Sequence, residues 1–404
     1  MGACCPQAFA VAFDRSEVGP DHTERRSNRA SGSTDWSQHH VPVADPLLTQ
    51  FLGSPVPLGA DDFADNRTAG SAARISSVSM NKSVQEQVPD GHGLADEGLV
   101  RWVSELRRAV GPSCREAGVQ RLRASAQARS TSRPRGPELP QVQDLRTDQG
   151  LAVRLYRPTL DLRPTVLYLH GGGFVIGDLE SHDGICRRLA RIADVMVLAV
   201  DYRLAPEHPG PAAVEDAVGA FAWAYEHLQE LGGDPEAGVA LAGDSSGGAL
   251  AVLAAVRLHA GGMTPSALLL AYPNADMTLR ADSLTQEGHG WGLEADDLRW
   301  FVEQWLPDPD RCDDPKVSPA HADLTGLPPT LIATAEHDPL RDEGNALAQQ
   351  LRDVGVEVQH VQNDGMVHGF LGLSHVSEAA AKAGRDLFER FGDILRSGIA
   401  VSSH

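Results

Sequence analysis

An α/β architecture is predicted for most of this chain: a mostly parallel central sheet with helices on both faces. Three observations predict it. From about residue 142 onward, apolar runs of strand length alternate with helix-period stretches, and buried strands alternating with helices mean a parallel sheet covered on both sides. A glycine-rich turn, Gly243-Asp244-Ser245-Ser246-Gly247, joins one apolar run to a small-residue helical stretch. An aspartate and then a histidine each stand in a loop just after a late run.

The chain divides into three parts. Residues 1–80 are rich in Ser, Gly, Asp, Arg and Pro and show no periodicity. That composition predicts a disordered leader, or a stretch added by an upstream choice of start, with Met80 as the alternative. Arg25-Arg26 has no apolar stretch behind it, so no export signal is read there, and Pro6 breaks the myristoylation pattern at Gly2. Residues 81–140 form a second part. Leu99, Val103, Leu106 and Val110 share one helical face with Trp102 beside them, and Gly111-Pro112 ends the run. A linker is expected between about 125 and 140, on the Ser130-to-Pro137 stretch. Residues 141–404 form the third part, where strand-length and helix-period runs alternate.

Within that part the strand patterns fall at about 151–156, 165–170, 195–200, 238–243, 266–272, 330–335 and 356–361. Helical patterns intervene at 182–193, 211–231, 247–259, 341–354 and 377–397. A further amphipathic stretch carries Leu298, Phe301, Val302 and Trp305. In open sheets of this kind the loops at strand ends gather the reacting groups along one edge.

The motifs supply those groups. Strand, sharp turn and helix around Ser245 is the context of a nucleophile elbow, which lifts the serine oxygen clear of the sheet and aims a helix N-terminus at developing negative charge. The run Thr165–Leu169 leads straight into His170-Gly171-Gly172-Gly173-Phe174. Three glycines let backbone N–H groups converge on one spot, so Gly172 and Gly173, with the N–H of Ser246, are the expected oxyanion donors. No Lys-Ser/Thr ending follows, which argues against a phosphate loop. Asp338 follows the Thr330–Thr334 run and His368 follows Val356–Val361. Serine, aspartate, histidine is the chain order of an α/β-hydrolase triad. A serine hydroxyl needs a base at neutral pH, histidine supplies it, and the aspartate fixes its tautomer. Ser245, Asp338 and His368 are the expected triad, and the chemistry calls for no metal or organic cofactor.

On these residues the chain resembles the hormone-sensitive-lipase-like esterases, in the branch whose elbow reads Gly-Asp-Ser-[Ala/Ser]-Gly. The matching stretches are His170–Phe174, Asp201–Pro209, Gly243–Gly248, Asp338–Asp342 and His368–Phe370. The resemblance implies an α/β-hydrolase fold with a helical cap over the active site. It also implies carboxylester hydrolysis with a preference for short- to medium-chain acyl groups. The helix near Leu99 and the stretch around Phe301 are read as cap, with plain core packing as the alternative. Family members often pair through a sheet edge, which implies a homodimer. Two departures stand out: Ser246 replaces the commoner alanine, and Gly210 stands where an aromatic residue often follows Pro209.

Other roles compete for some of these residues. His170 is expected to support the glycine loop, and His208 and Glu207 to brace the loop after Val195–Val200. Asp342 is a rival acid to Asp338. Asp244 reads as a cap or hydrogen-bonded brace. An amidase, thioesterase or deacetylase acting on a small acylated metabolite would use the same triad, because the pocket chooses the acyl donor. Some plant relatives are non-catalytic receptors, but they have lost the histidine that stands here as His368.

Composition narrows the class. Lys and Arg number 35 against 55 Asp and Glu, for a net charge of −20. That balance argues against nucleic acid or an anionic membrane surface as partner, and disfavours anionic substrates at the surface. No apolar run approaches the roughly 18 residues that cross a membrane. Cys4, Cys5, Cys114, Cys186 and Cys312 show neither a disulfide framework nor metal-ligand spacing. A reducing, cytoplasmic location is expected, and the expected partner is a small-molecule ester.

Overall fold

The computed structural model describes residues 93–109 and 111–402. The expected leader and Val110 of the first helical face lie outside the described residues. At one edge of the sheet, β1 (Gln141–Arg146) and β2 (Ala152–Arg157) form an antiparallel hairpin. They are followed by β3 (Thr165–Leu169), β4 (Met196–Val200), β5 (Val239–Asp244), β6 (Leu268–Ala271), β7 (Thr330–His337) and β8 (Val358–Val367). The spatial order is β1-β2-β4-β3-β5-β6-β7-β8. β2 meets β4 antiparallel, and every pairing from β4 to β8 is parallel.

Ten helices accompany the strands among the described residues. In chain order they are α1 (Glu97–Arg108), α2 (Cys114–Ser132), α3 (Asp183–Ala193), α4 (Ala212–Glu226), α5 (Leu228–Leu231), α6 (Ser246–Ala260), α7 (Ser283–Gln286), α8 (Ala295–Trp305), α9 (Arg341–Asp353) and α10 (Glu378–Ser402). The two faces of the sheet follow from the strand period of two. Leu167, Leu198, Leu241 and Leu268 pack with the buried faces of α4, α6 and α9. Their neighbours in sequence, Val166, Val197, Ala240 and Leu269, pack with α3 and α10 on the other side. Strands buried on both faces read as continuous apolar runs, which is why β3, β4, β5 and β6 were legible.

α1 begins at Asp96, whose Oδ1 accepts from Leu99 N at 2.9 Å. Its Oδ2 accepts from Ser377 Oγ at 2.8 Å and from Ala379 N at 2.9 Å, so one carboxylate serves the start of α1 and of α10. Leu99 and Val103 enter the cluster that contains Tyr272, Trp291 and Phe370.

Three expectations need correction. The linker from 125 overlaps α2, which runs to Ser132, so the irregular stretch shortens to 133–140. α2 opens with a capping box between Ser113 and Glu116, kinks at Gly118, and buries no residue fully. With no buried stripe it gives no helical period to read. The helix expected over 211–231 breaks at His227 into α4 and α5. β8 continues past Val361 to Val367 through Gln362-Asn363-Asp364. It is an edge strand, and an edge open to water accepts polar residues that look like a loop in sequence.

Candidate active site

β3 and β5 run side by side in register, with Leu169 opposite Gly243, so the loops that leave them emerge next to each other. Ser245 sits between β5 and α6 with φ 54° and ψ −123°, a left-handed-side conformation that a non-glycine residue adopts only when its surroundings impose it. Its N–H donates to Ala271 O at 2.9 Å, and Asn274 N donates to the Ser245 carbonyl at 3.1 Å. The turn is that tight because α6 leaves against β3: a Cβ at Gly247 would overlap the Leu169 carbonyl oxygen.

Three of the residues singled out in sequence form one hydrogen-bonded chain. His368 Nδ1 lies 2.8 Å from Asp338 Oδ2, and His368 Nε2 lies 2.9 Å from Ser245 Oγ. The tautomer that satisfies both carries its proton on Nδ1, donates to the carboxylate and accepts the serine O–H. Asp338 is fully buried, and its Oδ1 accepts from Leu340 N at 2.8 Å. Tyr272 stands edge-on to the His368 ring at 4.9 Å. Asp342, the rival acid, is engaged elsewhere, with Ser283 N at 3.0 Å and Arg341 Nε at 2.8 Å.

The glycine loop lies beside this chain. Gly172, Gly173 and Phe174 have φ of 124°, 60° and 65°. At Gly173 a Cβ would run into the Phe301 ring of α8, so only glycine lets that helix close on the loop. Among the described residues, the N–H groups of Gly172, Gly173 and Ser246 are not consumed by the hydrogen bonds of the turns themselves.

Asp244 fastens the loop to the elbow. Its Oδ1 accepts from Tyr168 Oη at 2.7 Å and from Gly171 N at 3.0 Å, and His182 Nε2 lies 3.4 Å away. Burial would raise this carboxyl, but His182 and the hydrogen bonds outweigh it and hold it below the ordinary carboxylate range. His170 is buried and pushed down to about 4 by that burial, so it is neutral; its Nδ1 lies 2.8 Å from Gly171 O. Tyr202 stacks on it at 4.2 Å and donates to its carbonyl at 2.6 Å. These contacts match the supporting parts expected of His170 and Asp244.

Glu207 braces the loop after β4 as expected, and its partner comes from α2. It pairs with Arg123 of α2 at 2.7 Å, and the same guanidinium donates to Val175 O and Ala205 O, both at 2.9 Å. α2 is thereby fixed to the loops after β3 and β4. His208 is exposed, with its backbone N–H bonded to Leu204 O, and gives no brace through its side chain. Gly210 is closely packed: a Cβ there would lie 2.8 Å from the Trp305 ring, which is fully buried and stacks on Phe174 at 4.3 Å. Trp305 fills the space an aromatic at 210 would need.

Two supports were not foreseen. Glu343 is buried, and its Oε1 accepts from Ala275 N at 2.6 Å and Asp276 N at 3.3 Å, just beyond the Asn274 that bonds Ser245. Burial holds its carboxyl well above the ordinary range. Arg123 is the other. Neither lies in a strand-end motif, and the only local signal was an acid beside Asp342 and a basic residue in an unrecognised helix.

A buried parallel sheet with serine, histidine and acid at its carboxyl edge defines the class: an α/β hydrolase. A family model described as alpha/beta hydrolase fold matches residues 166–372. The chain is 42% identical over 245 residues to the carboxylic ester hydrolase LipN of Mycobacterium tuberculosis, across 59% of this chain and 65% of that protein. It is 40% identical to an ethyl acetate hydrolase of Pseudomonas putida, across 58% of this chain and 76% of the relative. The solved hyperthermophilic esterase of Pyrobaculum calidifontis superposes with a TM-score of 0.70 at 34% identity, covering 75% of this chain and 98% of that one. The chain belongs to the alpha/beta hydrolase fold family and is a carboxylic ester hydrolase within it. No described helix is long and apolar enough to cross a membrane.

Proposed function

We propose that the chain hydrolyses short- to medium-chain acyl esters with Ser245 as nucleophile, His368 as base and Asp338 as the acid that steadies it. The observation that carries this reading is the hydrogen-bonded chain Asp338–His368–Ser245, at 2.8 and 2.9 Å. Ser245 Oγ attacks the ester carbonyl as its proton passes to His368 Nε2, and Asp338 stabilises the imidazolium. The N–H groups of Gly172, Gly173 and Ser246 take the oxyanion. His368 then protonates the departing alcohol, and water enters by the same route to release the acid. The short-acyl preference is supported by the relative named for ethyl acetate hydrolysis. α1, α2 and α8 are read as the cap, and β8 as the sheet edge through which two copies would pair. A cytoplasmic location rests on the cysteine usage alone.

The test is hydrolysis of p-nitrophenyl esters from acetate to long acyl chains by wild type and Ser245→Ala, with matched thioester and anilide substrates. The variant is expected to lose about 10³-fold or more in kcat, and wild type to favour the shorter oxygen esters. A Ser245→Ala enzyme that keeps pace with wild type would sink the triad. Faster turnover of the thioester or anilide would move the assignment to a thioesterase or amidase.

A further inference from the structure

A cavity of about 660 Å³ is lined in part by Leu371 and Gly372, which follow His368 in the chain, and not by Ser245, Asp338 or His368 themselves. Its walls come from the end of α2 and the turn after it, from α3, from the loop following His368 and from α10. Four arginines line it: Arg133, Arg135, Arg188 and Arg385. Among the described residues none of the four is in an ion pair. The carboxylates of the lining are committed elsewhere: Glu180 to Arg154 at 2.6 Å, and Asp183 to Arg187 at 2.7 Å and to the Tyr156 hydroxyl at 3.0 Å.

A cluster of uncompensated guanidiniums is unusual in a chain of net charge −20. Arg133 and Arg188 are half-buried, and burial holds both below the ordinary arginine range, with Arg133 adding to the effect on Arg188. Arg188 spends one donor on Leu371 O at 2.8 Å, and a guanidinium has five. Charges in such a place call for a counter-charge, and a planar carboxylate is the partner that a guanidinium fork fits best. Ile185, Leu371 and Phe388 give the wall an apolar part, beside Ser130, Thr131, Ser181 and Ser374. Its volume falls within the roughly 300–1,000 Å³ of small-molecule sites.

We propose that this cavity is a second ligand site, built for a small organic acid in its anionic form. Arg133 and Arg188, with Arg385 at the side, take the carboxylate, and Ile185, Leu371 and Phe388 take a short apolar body. Every turnover of an ester hydrolase releases such an acid, so the reaction itself supplies this class of ligand; that link rests on the proposed function, while the site does not. Leu371 also belongs to the loop that carries His368, and Arg188 holds that loop by its carbonyl. An anion drawn to Arg188 therefore sits one hydrogen bond from the catalytic loop.

The test is calorimetric titration of the full chain with hexanoate and with its neutral counterpart hexanamide, before and after diethylphosphorylation of Ser245. Hexanoate is expected to bind at one site in both forms, with hexanamide at least tenfold weaker. Arg133→Met with Arg385→Met should weaken hexanoate tenfold or more and leave hydrolysis of p-nitrophenyl acetate within about twofold. The matching lysine pair, which keeps the charge, should retain most of the binding and controls for folding. Equal affinity for the amide, or no effect of losing both arginines, overturns the proposal. Loss of binding on phosphorylation overturns it too, since hexanoate would then occupy the catalytic cleft. A fully active Ser245→Ala would remove the proposed triad without touching the comparison of hexanoate with hexanamide.

Discussion

Asp244 adjoins Ser245, the proposed nucleophile, but its own hydrogen bonds hold the glycine loop, and removing it separates support from chemistry. Asp244→Ala leaves the Tyr168 hydroxyl and the Gly171 N–H buried without their acceptor. Each such orphan costs about 1–3 kcal/mol, so the variant should lose about 2–6 kcal/mol, a large part of the roughly 5–15 kcal/mol that holds a domain folded. Gly171 precedes the two glycines read as oxyanion donors, and losing one such donor costs about 10²–10³ in rate. A loop released at Gly171 should therefore lower kcat about 10²-fold with little change in KM, because the donors act mainly in the transition state. Asp244→Asn keeps an oxygen for both donors and loses only charge assistance, about 1–3 kcal/mol in total, and should stay within about tenfold of wild-type kcat. Urea unfolding at pH 7.5 and p-nitrophenyl acetate kinetics read both quantities. The reasoning fails if the alanine variant loses less than about 1 kcal/mol. It also fails if the asparagine variant is as dead as Ser245→Ala, which would make Asp244 a party to proton transfer.

Three further outcomes are expected. His170 is pushed down to about 4 from an ordinary 6.5. Above pH 6.5 it is neutral in both states; between 6.5 and 4 only the unfolded chain takes the proton, so stability should fall by about 3 kcal/mol over that window. His170→Gln, followed by chemical denaturation across that range, should flatten the slope, and an unchanged slope refutes the assignment. Gly173→Ala drives a Cβ into the Phe301 ring at a positive φ; kcat should fall at least about 10²-fold, with partial recovery when Phe301→Ala opens the space. Gly210→Phe, the residue type the resemblance favours there, should lower stability by about 1–3 kcal/mol because Trp305 occupies its place. Trp305→Leu in the same chain should return part of that in a thermal melt.

Legibility followed burial. β3, β4 and β5 are buried at every residue, and such runs announce themselves without any partner being known. Ser245, Asp338 and His368, the proposed triad, could be nominated because acyl transfer requires a few residue types at strand ends, in an order that the sheet topology fixes. α2 was not, since its contacts are polar and reach across the fold: Arg123 meets Glu207, Val175 and Ala205, and Arg115 meets Glu303. Long-range polar pairing leaves no period in sequence. The same holds at Gly210, where a single chain shows the missing aromatic but not Trp305 coming from another element to replace it.

Acids crowd the carboxyl edge of this sheet, and their environments divide the labour. Asp338 has a histidine on one oxygen and a backbone N–H on the other, which orients a base. Asp244 has a tyrosine hydroxyl and a backbone N–H on one oxygen, which ties two loops together. Glu336 accepts from Gly365 N at 2.7 Å and holds the strand that delivers His368, while Asp342 and Glu343 hold backbone N–H groups at Ser283 and Ala275. Five carboxylates thus share the work of one edge, and what distinguishes Asp338 among them is the histidine that reaches it. Chain order could nominate Asp338 over Asp342. Only the packing of β7 beside β8 gives the carboxylate its histidine, a contact that no pattern of residues along the chain displays.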